Sequence, residues 1–536
     1  MLSAVTQRWP DLSLASPEAP PQWHLTGPSR GHTGDVDPDP TGRRSVSCMD
    51  ESDDGPELLD LPVGLTPGER TRTETDAIGA VEVPADRYWG AQTERALQNF
   101  AIGGNEERMP LEVIHAYGRV KHACAKVNGD NGRLPEWMAD LIARVADEVT
   151  AGELDDQFPV RIWQTGSGTQ TNMNVNEVIA NRCNQLAGGV LGSKSPVHPN
   201  DHVNASQSSN DTFPTAMHLA ADGMLHSAVL PALERLVDAL DDKASAWSGI
   251  VKIGRTHLQD ATPLTVGQEW SGYAAMIGGT TDALRNDASG LLELALGGTA
   301  VGTGLNTWEG FDSAAAAEVA ALSGRPFVTA PNKFAANSTI DAVARCSSGL
   351  RNVAVSLFKL ANDIRWLGSG PRTGLGELRL PANEPGSSIM PGKVNPTQAE
   401  ALQMVALQVM GNDATIAMAA KEGNLELNTF RPVAIANLLR SMRLLADMSA
   451  SFTEHLVRGT ELNEGTISAH VERSAMLVTA LAPHIGYDLA TRIAHLAVEE
   501  DLPLRDAALQ LGVDPELFDS VVRPIELTHP SPEPPL

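Results

Sequence analysis

Apolar residues recur at helical spacing over most of this chain. Cys346, Leu350, Val353, Leu357, Leu360, Ile364 and Leu367 follow one another in alternating steps of four and three. That 3.5-residue period is the seam of a long helix packed against near-parallel neighbours. Leu233, Leu236, Val237 and Leu240 form one face of a second long helix, with Pro231 as its expected kink. Between Ala401 and Ala420 the one charged residue is Asp413, so this helix is apolar or small nearly all round. Gln403, Gln408, Asn412 and Asp413 argue against a membrane span and for burial on all sides at the centre of a bundle, which implies neighbours from other subunits.

The same patterns divide the chain. Residues 1–70 are rich in Pro, Gly, Asp and Ser and are expected to be a disordered extension, with Met49 as an alternative start. Residues 71–208 read as an N-terminal, mostly α domain. It opens with a short β-prone piece at Ala77–Val83 and a turn at Ala85–Gly90, and Leu111–Asn128 and Pro135–Thr150 carry helical spacing. A central long-helix bundle over 209–464, a small α domain over 465–526 and a loose tail over 527–536 complete the expected organisation. The fold class is mainly α.

Composition narrows this further. Hydrophobic residues make up 42% of the chain but aromatics only 4%, so the core is built from Ala, Leu, Val, Ile and Met, which suits close-packed helices. A net charge of -27 argues against nucleic-acid and anionic-membrane partners, and it obliges any anionic substrate to find local positive charge. Cys48, Cys124, Cys183 and Cys346 are widely separated, so their spacing signals neither a zinc site nor an iron–sulfur cluster. Isolated thiols and the lack of a secretory leader pattern lead to a cytoplasmic expectation.

One stretch breaks the helical pattern with unusual chemistry, Gly386-Ser387-Ser388-Ile389-Met390-Pro391-Gly392-Lys393-Val394-Asn395-Pro396. It combines flexible glycines, rigid prolines, two hydroxyls, an ammonium and a carboxamide, with no carboxylate. It reads as an anion-handling loop, and on composition alone equally as a surface turn. Four further stretches are dense in hydroxyls and amides: Gly166–Asn176, His198–Asn204, Ser206–Asp211 and Gly254–Asp260. Each has a plainer alternative. Ser209, Asn210 or Asp211 could simply cap a helix beginning near Phe213, and His257 could be a hydrogen-bonded structural histidine. His198 and His202 stand four apart, but Pro199 lies between them and no third metal ligand is evident. Together these stretches supply neutral donors for carboxylates, an imidazole, an ammonium and a hydroxyl. Those are the parts needed to remove a proton alpha to a carboxylate and expel a leaving group from the neighbouring carbon.

With these residues in view the chain resembles the fumarase/aspartase superfamily, whose signature is the loop Gly386–Pro396. Within it the chain is most similar to the class II, iron-independent fumarate hydratases. The likeness runs from about Arg72 to about Glu526. Thr256-His257 and Thr169-Gln170-Thr171 separate it from the aspartases, which usually carry Gln in place of His257. The resemblance implies a three-domain fold with a twenty-helix core in a homotetramer, a small dicarboxylate substrate, and no metal or organic cofactor. It implies Ser387 as the base and His257, paired with Glu400, as the acid. Lys393 would support the alkoxide and, with Asn395, hold a carboxylate, while Ser167, Thr169, Ser208, Ser209, Asn210 and Thr256 would bind the carboxylates. His198, Asn200 and Asp201 match an accessory dicarboxylate site. The expected reaction is reversible hydration of fumarate to L-malate, the rivals being an aspartate ammonia-lyase and an inactive structural relative. Ala335–Asp341 departs from the family's usual pattern, and the N-terminal extension is atypical.

Overall fold

The computed structural model describes residues 55–65, 68 and 70–530. Most of the extension, with Cys48 and Met49, and the last six residues of the tail lie outside them. Residues 55–65, expected to be disordered, instead lie along the helix that spans Thr169–Leu186. Leu59 donates its N–H to the Leu186 carbonyl at 2.7 Å, and Arg182 donates to the Leu61 and Pro62 carbonyls at 2.9 and 3.2 Å. Leu61, Val63 and Leu65 pack on the core. An apolar residue at every second position among the polar ones lets one edge of this segment be buried.

The N-terminal part opens with a hairpin, β1 (Thr71–Asp76) antiparallel to β2 (Gly79–Pro84), turning at Ala77–Ile78. Helices α1 (Ala91–Asn99), α2 (Leu111–Asp130), α3 (Glu136–Thr150) and α4 (Thr169–Leu186) follow. The Glu177 carboxylate on α4 closes the open N-terminus of α1, accepting from the backbone of Gly90, Gln92 and Thr93 at 3.0, 2.8 and 3.1 Å. A carboxylate there satisfies orphan N–H groups and meets the positive end of the helix dipole.

Five long rods form the central bundle. The first runs from α5 (Ser209–Met224) through a π-helical turn at Leu225–Val229 into α6 (Leu230–Ala246). The kink expected at Pro231 therefore takes the form of a π-turn just upstream, because a proline one position into α6 has no N–H to continue the ladder. The others are α7 (Val266–Asp287), α10 (Asp341–Leu367), α11 (Thr397–Lys421) and α12 (Arg431–Phe452), with shorter α8 (Phe311–Ser323) and α9 (Lys333–Ser338) between α7 and α10. All seven seam residues of α10 are buried, from Cys346 at 0% exposure to Leu367 at 6%.

The expectation that α11 is buried on all sides does not hold within one chain. Leu402, Ala406, Val409 and Ile416 are buried against α10 and α12, but Met404, Leu407 and Met418 are 65%, 59% and 64% exposed. Two neighbours can cover only about half of a helix's circumference, so the outer apolar face remains open. No helix among the described residues is long and apolar enough to cross a membrane.

Between α6 and α7 a second hairpin, β3 (Val251–Thr256) and β4 (Gln259–Thr265), projects from the bundle. Ile253 on β3 joins a separate apolar cluster with Val471, Leu481, Ile493, Leu504 and Phe518, built by α13 (Glu464–Arg473) and the helices after it. The hairpin is thereby braced from the C-terminal side.

Candidate active site

The site begins where two helices start. Gly168, at φ 78°, turns the chain into α4, and a Cβ there would sit 2.0 Å from the Phe213 ring, so only glycine fits. Ser208 is the N-cap of α5. Its hydroxyl accepts from Asn210 N at 3.2 Å while Asp211 accepts from Ser208 N at 3.0 Å, a capping box. The capping role that Ser209, Asn210 or Asp211 could have taken thus falls on Ser208 with Asp211. The two N-termini meet through a chain of hydroxyls, Ser167 Oγ to Thr169 Oγ1 at 2.8 Å and Thr169 Oγ1 to Ser209 Oγ at 2.7 Å. Two positive dipole ends lined with neutral donors make a corner suited to an anion. Asn210 extends it, its amide donating to Ala300 O at 2.8 Å and its carbonyl accepting from Arg431 Nη1 at 2.8 Å.

The signature loop folds on itself. Gly386 N donates to Lys393 O at 3.0 Å, and Asn395 Nδ2 donates to Gly386 O at 2.6 Å. A Cβ on Gly386 would lie 2.3 Å from Lys393 O, which is why glycine is required at that closure. The outcome for Ser387 is specific: its Oγ accepts N–H bonds from Ile389 at 3.1 Å and Met390 at 2.9 Å. Lys393 is exposed, and among the described residues it has no carboxylate within ion-pair distance.

His257 sits at the tip of the β3–β4 hairpin. His257 and Leu258 have φ of 58° and 59°, which makes the two-residue turn type I′, normally the province of Asn and Gly. Left-handed conformations in a histidine and a leucine hold local strain, and the surrounding structure must impose it. Thr256 is exposed beside it. Beneath, Glu377 accepts from Arg255 Nη1 at 2.6 Å and lies 3.0 Å from Lys252 Nζ, 2.6 Å from which is Glu269; His470 on α13 is 3.3 Å from Glu377. Burial opposes ionisation of Glu377, yet the Lys252 and Arg255 charges outweigh it and hold its carboxyl below the usual range.

A depressed carboxyl stabilises the fold above its unfolded value and loses that contribution as pH falls through the folded one. Thermal melts of the wild type are therefore expected to lose stability below the ordinary value of 4.5. Glu377→Ala, which strips a partner from buried Lys252 and half-buried Arg255, is expected to cost about 3 kcal/mol at neutral pH. Its melting temperature should also respond less to acid than that of the wild type.

Within one chain His257 and Glu400 do not meet. Glu400, in the first turn of α11, faces Arg365 on α10 at 3.5 Å. The corner at α4 and α5, the signature loop and the hairpin tip are likewise three separate surfaces. The accessory set does come together: His198 Nδ1 accepts from the backbone N–H of Asn200 and Asp201 at 3.2 and 3.1 Å, and Asp201 Oδ2 lies 3.4 Å from it. His202 Nδ1 accepts from His198 N at 2.9 Å.

A family model described as "Lyase" matches residues 79–411, and one described as "Fumarase C C-terminus" matches 477–529. The chain is 57% identical to a "Fumarate hydratase class II" of Methanosarcina acetivorans, over 88% of this chain and 96% of that one. It is 59% identical to the protein of that name from Thermosynechococcus vestitus, over 84% and 97%. The chain belongs to the class II fumarate hydratase family. In three dimensions it resembles the crystal structure of a class II fumarase from Schistosoma mansoni, with TM-score 0.84, 44% identity, and 86% and 99% of the two chains covered.

Two buried cations beside the helix corner of this class II fumarate hydratase were not singled out from sequence. Lys121, on α2, is fully buried and donates to Asn172, Asn204 and Gln207. Arg431 is fully buried too, donating to the carbonyls of Asn210 and Asn337. For Lys121 a signal existed: it falls four residues after Tyr117 and three before Cys124, on the apolar face of its helix.

Proposed function

We infer that this chain catalyses the reversible hydration of fumarate to L-malate. In the dehydration direction Ser387 Oγ takes the proton from C3 of malate and its electron pair stays on C3, delocalised into the adjoining carboxylate. The C2–O bond then breaks, and His257, directly or through a water, supplies the proton with which the hydroxyl leaves as water. Acid and base act on opposite faces, so addition in the other direction is anti.

One observation carries this reading: the two backbone N–H groups aimed at Ser387 Oγ. A serine is far too weak a base unless its alkoxide is stabilised, and N–H donors already fixed by the loop's own fold do that without reorganisation. Lys393 adds charge and, with Asn395, holds one carboxylate. Ser167, Thr169, Ser208, Ser209, Asn210 and Thr256 receive the carboxylates from the helix corner and the hairpin. Glu400 orients His257 and raises its basicity across a subunit boundary. A homotetramer, in which the five rods of each chain make a twenty-helix core, would cover the open face of α11 and bring the three surfaces together. His198, Asn200 and Asp201 form an accessory dicarboxylate site, and the protein works in the cytoplasm.

The test follows fumarate absorbance in the ultraviolet with L-malate and then L-aspartate. Malate alone is expected to produce fumarate. Activity on aspartate alone would make the chain an ammonia-lyase, and activity on neither would make it a structural relative.

A further inference from the structure

A chain with a net charge of -27 that binds a dianion needs positive charge close to its site, and the signature loop provides a single ammonium. A second one lies hidden. Lys121 Nζ is fully buried and gives its hydrogens to three carboxamide oxygens, Asn172 Oδ1 at 2.8 Å, Asn204 Oδ1 at 3.1 Å and Gln207 Oε1 at 2.8 Å. Among the described residues it has no carboxylate within ion-pair distance. Buried charges are as a rule paired, because the loss of hydration is not offset by neutral amides.

The position of this charge gives it a use. Asn172 is one turn into α4 from Thr169, and its Oδ1 also accepts from Thr212 Oγ1 at 3.3 Å, one turn into α5 from Ser208. Lys121 thus lies directly under the corner where the two helix N-termini meet. Asp211 is the carboxylate near enough to feel it, but Asp211 already accepts from the backbone of Ser208, Gly297 and Thr299 at 3.0, 3.0 and 2.9 Å. Arg431, equally buried and also coupled to Asp211, holds the Asn210 carbonyl from the other side. Two basic groups, Lys121 and Arg431, thus share the one buried carboxylate of Asp211.

We propose that Lys121 is a positioning residue for the substrate, a buried ammonium without a counterion of its own that favours a doubly charged ligand at the corner of α4 and α5. Through Asn172 and Gln207 it also fixes the segments from which the hydroxyl donors project. Burial pulls this ammonium down to about 7, with Cys124 and Asp211 acting weakly the other way, so a nearby dianion and the bound proton favour each other.

The proposal rests on the fumarate hydratase reading and is tested with succinate, a saturated four-carbon dicarboxylate, against its monoamide succinamate, both as inhibitors of malate turnover. The preference for the diacid is the ratio of the two inhibition constants. Lys121→Met is expected to reduce that ratio at least about fivefold, as loss of one buried charge within about 10 Å of the ligand requires. Lys121→Arg should restore most of it. Gln207→Glu, which leaves the lysine in place and gives it a carboxylate, is expected to reduce the ratio similarly, and it decides the matter alone if Lys121→Met fails to fold. A merely structural lysine would weaken diacid and monoamide together, and an unchanged ratio in either folded variant overturns the proposal. Absence of malate turnover in the wild type overturns the functional reading, and this inference with it. Turnover with an unchanged ratio overturns this inference alone.

Discussion

Ser387→Ala is expected to leave a folded protein whose kcat for malate is reduced at least about a hundredfold, the usual scale for losing a general base. The fold should tolerate the change because the serine hydroxyl holds nothing but its own loop: it accepts from Ile389 and Met390, both exposed, and water can replace it. The frame of the loop, Gly386 N to Lys393 O and Asn395 Nδ2 to Gly386 O, does not involve Ser387. KM should therefore move much less than kcat, since the hydroxyl acts on the proton and not on the carboxylates. Steady-state kinetics beside a thermal melt separate the two effects. Near-wild-type turnover in a folded variant would remove Ser387 from its role as base.

His257→Asn is expected to lower kcat by a similar factor, about a hundredfold, for loss of the general acid. Asparagine is chosen because the turn requires it. His257 has φ of 58° at the first position of a type I′ turn, where asparagine is the most favourable residue apart from glycine, so the hairpin should be retained or slightly stabilised. The bracing below the tip, from Glu377 through Arg255 and Lys252, is untouched. An unchanged melting temperature with lost turnover assigns the loss to the imidazole. Retained turnover would show that the proton reaches the leaving hydroxyl by another route.

Much of this architecture was legible in the chain. The seam of α10 could be read residue by residue because a 3.5-residue period has one solution, a helix burying that stripe. The same logic found α2 and α3 within a few residues. It failed at residues 55–65, which were grouped with the Pro-, Gly-, Asp- and Ser-rich extension although Leu61, Val63 and Leu65 alternate there and pack half-buried on the core. For α11 it gave an apolar surface nearly all round, of which one chain covers only the part facing α10 and α12. Periodicity reports that a face is apolar, and it is silent on what lies against that face. For the site, the hydroxyl-rich stretches stood out by composition, but Ser208 as cap and Lys121 as hidden charge did not.

The sequence by itself determined the helical period, three of the five rods (α6, α10 and α11), the residues rich in donors and the family to which they belong, because these are local or additive properties of side chains. The tertiary structure alone decided that Thr169 and Ser209 touch, that Ser387 receives two N–H groups, that His257 occupies a strained turn and that Lys121 lies beneath the corner without a carboxylate. Each of these joins atoms through backbone dihedrals or across tens of residues. Such distances depend on how the rods pack together, and no spacing along the chain encodes them.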